Sequence, residues 1–342
     1  MIDWRVARAT GARLGGGGPE VSPQEAADAV AELRAAAARA EGPVREFAQL
    51  HAESATAPVL VVDRSGWIDA NLETFATMLD PVLKKAMDRK AGPLARRIGG
   101  TIGGAEIGAA MGFMSARVLG QFDPFWDGPA GEGGRLLLVA PNIVDVERKL
   151  EVDPHDFRLW VCLHEETHRV QFTAVPWMRD HLRSLMEEFL DATEVDSGTL
   201  SAAAGELVKI VRGDSDVTIA DLFQNETQKR VVAQMTGIMS LLEGHADVVM
   251  DGVGPEVIPS VATIRRKFNQ KRKGAGPIDK IVRRLMGLEG KMRQYRDGAA
   301  FVRAVVDEVG IEGFNAVWAE PAHLPSRDEI LAPRTWLDRV AP

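Results

Sequence analysis

Five consecutive residues carry chemistry by themselves: His164-Glu165-Glu166-Thr167-His168. On a helix, histidines at i and i+4 present their imidazoles on one side, a turn apart. That spacing suits two nitrogen ligands of one tetrahedral Zn2+ at about 2.0–2.1 Å. Glu165 lies about 100° round the helix. There it can take a proton from a metal-activated water attacking a carbonyl. Phe157, Val161, His164, His168 and Phe172 fall on one stripe of that helix, so both histidines lie on its apolar face. The plainer alternative, two core histidines, obliges each buried imidazole to find a partner of its own.

The pentapeptide does not supply a third ligand. An extension with Gly at 171 and His at 174 is excluded, since the chain has Gln171 and Ala174. Two places offer a Glu followed by an Asp one turn on, where the Asp can orient a ligand histidine. They are Glu187 with Asp191, and Glu243 with Asp247. Glu187 falls opposite the apolar face of its helix and reads as solvated. Glu243 belongs to a segment, Gln228 to Asp251, that is apolar almost all round and reads as a buried helix. No Lys or Arg occurs between Val231 and Asp251. A buried carboxylate needs a cation or donors. Glu243 is therefore expected as the third ligand, with Glu187, His245 or another group as alternatives. Asp247 is expected to accept the outer N–H of His164 or His168. Gly244 suits a close approach of the two helices at the metal.

Several segments resemble one family. They are Leu163 to His168 with Gln171-Phe172, Leu241 to Asp247, Lys291-Met292-Arg293-Gln294-Tyr295, and Trp336 with Arg339-Val340. Together they resemble the zincin-like metallopeptidase type 2 family. Its members are mostly actinobacterial hydrolases assigned by sequence, some labelled as associated with biosynthesis of a deazaflavin coenzyme. The resemblance covers most of the chain after about residue 60. It implies a mainly helical zincin-like fold and a zinc-dependent hydrolase, and it supplies no substrate. In the common zincin pattern the two central residues of the motif are uncharged. Here Glu166 is the first of them, and it either points to solvent or holds Arg169. Zincins often stabilise the oxyanion with a Tyr or His, for which Tyr295, His323 and His245 are candidates.

The elements that must position these groups follow from caps and breakers. Asp153-Pro154 is the cap and first position of the motif helix, and Pro176 restarts the chain as another helix. Ser22-Pro23-Gln24-Glu25 opens an Ala-rich helix expected to stop near Gly42-Pro43, with a second over 44–53. Val59 to Val62 and Leu136 to Ala140 are short strands. The second is either the edge on which an extended peptide lies or a core strand. From Ile98 to Gln121, Gly100, Gly104, Gly108, Gly112, Ala116 and Gly120 recur every four residues. On a helix that makes a smooth ridge for another backbone, and Glu106 and Arg117 inside it argue against a membrane span. Ala202 to Val211 is expected to be helical, as are three short stretches between Ser260 and Val309, and Trp336 lies in a terminal helix. The expected fold is mainly α with a small β-sheet (α+β), zincin-like, with the motif helix packed on a buried helix carrying the third ligand. Residues 1–21 read as a flexible lead, and 22–342 as one large domain.

Composition narrows the function. With 45% apolar residues the chain can bury a sizeable core. Its one cysteine, Cys162, excludes a disulfide framework or a Cys-based zinc ribbon and reads as core. No secretory signal is evident, so a cytoplasmic location is expected. Arg265 to Arg296 holds twelve Lys or Arg against Asp279 and Glu289. It lacks interleaved aromatics, so it reads as a solvated surface facing acidic parts of the same chain, with no nucleic-acid partner. The expected function is a zinc-dependent hydrolase cutting a peptide or amide bond. The alternative is a zincin-fold zinc-binding module with a regulatory or binding role and little or no turnover.

Overall fold

A computed structural model describes residues 2–52, 57–87, 93–129, 133–192, 225–273 and 292–340. The chain opens with α1 (Trp4–Gly15), α2 (Pro23–Ala48), β1 (Val59–Val62), α3 (Arg64–Met87) and α4 (Pro93–Ser115). β2 (Gly120–Asp123), β3 (Arg135–Val139), α5 (Ala140–Leu150), α6 (Pro154–Ala174) and α7 (Pro176–Asp191) follow. After the next described stretch begins come α8 (Glu226–Val257), α9 (Val261–Lys273) and α10 (Met292–Phe314). Two short 3-10 turns, Asn315–Trp318 and Pro321–His323, lead to α11 (Arg327–Leu331) and α12 (Pro333–Val340). The architecture is mainly α with one small sheet, as patterning and composition predict. The helix expected over Ala202 to Val211 lies outside the described residues.

Local signals set most helix starts. Asp153 caps α6 by accepting from the Asp156 N–H at 3.0 Å, and Ser22 and Glu25 form a reciprocal capping box on α2. Two helices run through prolines, the first of them where the helix was expected to end. α2 continues past Pro43 to Ala48. Pro43 forfeits one backbone hydrogen bond, but Ala37, Ala40, Val44 and Ala48 stay buried on one continuous face. α8 likewise passes Pro255 and ends at Val257.

Within the stretch read as a flexible lead, Trp4–Gly15 forms a helix packed on α4. Asp3 caps α1 by accepting from the Arg5 and Val6 amides. Ala7, Gly11 and Gly15 form a ridge of small residues on it. That ridge lies on the glycine ridge of α4, whose Gly104, Gly108 and Gly112 face the backbone of α1. A Cβ on Gly108 would sit 2.3 Å from the Ala7 carbonyl oxygen. The ridge does what its spacing predicts, but the helix stops at Ser115, and Gly120 belongs to β2 instead. Among the described residues no helix is long and apolar enough to cross a membrane.

The sheet has the order β1-β3-β2. β3 pairs in parallel with β1 and antiparallel with β2, and all five of its residues are buried. The strand over Leu136 to Ala140 is thus the central one, and β2 is the edge beside α6. Arg135 and Thr74 both bond the Asp123 carboxylate, at 3.2 and 2.7 Å, which ties the end of β2 to β3 and α3.

α6 runs through the main core, with Phe157, Cys162 and Leu163 wholly buried. Buried ion pairs clamp it. Glu166 is fully buried and receives Arg169 at 2.7 and 2.8 Å. Arg169 also donates to Glu41 on α2 and to the Ala57 carbonyl. The charge at position 166 therefore holds Arg169 and does not face solvent. Near the start of α6, Arg158 bonds Glu147 of α5 and Glu32 of α2. On the far side of α8, a Cβ on Gly244 would lie 2.4 Å from the Gly298 carbonyl carbon. Gly244 thus seats α8 on α10, not on the motif helix as its position beside Glu243 suggested.

The glycine ridge yields a paired test. Gly103 has open space where a Cβ would go, so Gly103→Ala should gain up to about 1 kcal/mol from helix propensity. Gly108→Ala has the same propensity gain but must displace backbone, and should lose about 1–3 kcal/mol net. Denaturant unfolding of both variants beside wild type checks the opposite signs; a stabilised Gly108→Ala would show that α1 is not docked there.

Candidate metal centre

α6 and α8 cross so that three side chains meet. The His164 and His168 Nε2 atoms are 3.2 Å apart. Each lies 3.7 Å from an oxygen of Glu243. Among the described residues, these three form the group whose ligand atoms, all within 4.8 Å of one another, could hold a metal ion. Three ligands at about 2.0–2.2 Å round a tetrahedral ion stand roughly 3.3–3.5 Å apart, close to the separations observed. Two imidazole nitrogens and a carboxylate aimed at one point are stable only with a proton or a cation between them. The donor set fits a divalent cation that accepts both nitrogen and oxygen. Access is one-sided: the side chains of His164 and Glu243 are 29% and 32% exposed, and that of His168 only 12%.

Glu165 stands beside the cluster and is buried. Burial, and after it the charge of Glu243, push its carboxyl up to about 8. A cation at the three donors opposes both causes. The backbone of β2 lies against this carboxylate: a Cβ on Gly120 would be 2.5 Å from Glu165 Cδ. Two residues along, Phe122 stacks on Phe172 of α6 at 5.4 Å between ring centroids. β2 and α6 therefore form one wall, with the Glu165 carboxylate set in it.

The other expected residues fall elsewhere. Asp247, expected beside one of the histidines, is not brought into the cluster. Its side chain is 56% exposed and lies 3.7 Å from Arg303. It is Gln171 that stands beside a cluster histidine, with its side-chain oxygen 2.9 Å from His168 Nδ1. Glu187 is exposed on α7, away from the cluster. His245 is wholly buried behind Gln171 and joins no ligand set. His323 Nδ1 donates to the Ala316 carbonyl at 2.7 Å, a bond internal to the carboxy-terminal turns. The side chain of Tyr295 lies outside the described residues. Part of the basic segment does too; where it is described, Arg265 pairs with Asp251 and Lys267 bonds the Leu150 and Glu151 carbonyls, so it does face its own chain. Sequence reasoning missed Gln171 and Gly120. Gln171 stood one turn after His168 on a buried helix, and a buried amide there was itself a signal. Gly120 had none, because it read as the end of the glycine ridge.

A family model described as a zincin-like metallopeptidase matches residues 2–337. A crystal structure from Chloroflexus aurantiacus, described as a "putative hydrolase with a novel fold", is similar throughout. Its TM-score is 0.71 at 29% identity, over 99% of this chain and 98% of that one. No curated protein matches the chain. The chain belongs to the zincin-like metallopeptidase family.

The geometry makes His164, His168 and Glu243 the candidates for metal binding. His164→Ala, His168→Ala and Glu243→Ala should each abolish copurification of about one metal ion per chain. Asp247→Ala and Glu187→Ala should leave it intact. Metal analysis of the purified variants checks this; full metal content in Glu243→Ala would remove Glu243 from the ligand set.

Proposed function

We propose that this member of the zincin-like metallopeptidase family is a zinc-dependent hydrolase that cuts a peptide or amide bond. The observation that carries the reading is the convergence of His164, His168 and Glu243 beside a buried Glu165. Two imidazoles and one carboxylate suit zinc better than magnesium or calcium, which prefer oxygen donors. Bound there, zinc would lower the pKa of a water towards about 7 and polarise a carbonyl. Glu165 would accept the proton of the attacking water on its carboxylate and pass it to the leaving nitrogen. Gly120 keeps the backbone of β2 close without displacing the carboxylate. β2 is an edge strand, and an extended peptide laid along it would gain main-chain hydrogen bonds and bring a carbonyl toward Glu165. This moves the substrate edge from β3, where the sequence suggested it, to β2.

Glu165→Gln should keep the metal and the fold while lowering hydrolysis of a peptide-library substrate by at least about 10²–10⁴-fold. Labelling by a zinc-directed hydroxamate probe should survive the change. Probe binding without turnover of any library peptide by wild type would favour the binding-module alternative. Equal turnover by wild type and Glu165→Gln would show that Glu165 is not the base.

A further inference from the structure

Gln171 touches both ligand helices without being a ligand, and it is fully buried. Three groups surround its amide. The Leu242 carbonyl oxygen lies 2.9 Å from Nε2, His245 Nδ1 lies 2.9 Å from the same nitrogen, and His168 Nδ1 lies 2.9 Å from Oε1. A backbone carbonyl can only accept, so the amide nitrogen must be the end that faces Leu242. The oxygen then faces His168, whose Nδ1 must carry a proton and donate. The second amide hydrogen points at His245 Nδ1, which must accept, so His245 holds its proton on Nε2.

We propose that Gln171 is a positioning residue of the metal centre, fixing neutral His168 as the Nδ1–H form so that its Nε2 lone pair faces His164 and Glu243. The proposal rests on the metal-centre reading above. Leu242 immediately precedes Glu243, so the same amide that sets the ring on α6 is anchored one residue from the ligand on α8. His245 is the second anchor. It lies between Phe314, stacked at 5.4 Å, and Trp318, edge-on at 5.4 Å. Its Nε2 is buried without a hydrogen-bond partner among the described residues. A residue present only for packing would not carry that unmet donor, since an apolar side chain fills such a slot without it. The acceptor at Nδ1 is what distinguishes histidine here. An amide oxygen also orients His168 without adding a third negative charge beside Glu165 and Glu243.

The test uses the full-length chain with 15N-labelled histidine. Long-range proton–nitrogen spectra of the metal-stripped wild type should show His168 protonated on Nδ1 and His245 on Nε2. In Gln171→Met, which keeps the size of the side chain but neither donates nor accepts through its tip as the amide does, His168 should shift toward the Nε2–H form. Zinc affinity, read by competition with a chromophoric chelator, should fall about 10–100-fold. A His168 already protonated on Nε2 in wild type overturns the proposal, and it does so even if Gln171→Met fails to fold. Equal zinc affinity in wild type and a folded Gln171→Met overturns it as well, leaving the metal centre standing. A wild-type chain that binds no zinc overturns the metal-centre reading, and the proposal with it.

Discussion

Three polar groups that would repel or lie idle apart are forced together between α6 and α8: two imidazole nitrogens 3.2 Å apart and a carboxylate 3.7 Å from each. Holding them there opposes both desolvation and the entropy of two helices free to slide. A shift of either helix by an ångström would scatter the donors. Much of the surrounding packing can be understood as what prevents that shift.

α6 is fixed by charge and α8 by the absence of side chains. Arg169 is a buried cation and Arg158 a partly buried one, and each joins α6 to α2 through a carboxylate. Their geometry is multidentate, which is what lets a buried pair offset its desolvation. Removing one partner would leave a buried charge unpaired, so these contacts specify position more than they add net stability. α8 is held from behind, where Gly244 and Gly298 let its backbone meet that of α10 with no side chain between. Gln171 bridges the front. The result is the Glu243 carboxylate held on one helix beside two histidines on another.

The small sheet contributes more than its size suggests. β3 is buried along its length and anchors the layer, while β2 carries Gly120 up to the Glu165 carboxylate. The cluster is thus buried on the side of Glu165 and open on the side of His164 and Glu243. Burial raises the pKa of the Glu165 carboxyl, while the partial exposure of His164 and Glu243 leaves a path to the cluster.

The motif and its helix were legible in the sequence, because the spacing of His164, Glu165 and His168 and the Asp153 cap are local consequences of a 3.6-residue period. Glu243 was expected in the cluster from its place on an apolar helix with no neighbouring cation, although its side chain is 32% exposed and so only partly buried. The tertiary structure decided the rest. Asp247, one turn past Glu243 and about 40° further round, falls under Arg303 of α10 and not under a histidine, since its environment depends on which helix lies on that side. The amino-terminal helix looked like a lead because glycine and alanine carry no apolar signal. Its partner ridge lies some hundred residues away in α4, beginning where the Asp3 amide meets the Gly100 carbonyl. Gly120 and Gln171 were hidden for the same reason. A glycine's purpose is the atom that approaches it, and an amide's is the three groups it can bond at once, and neither is written in the neighbouring sequence.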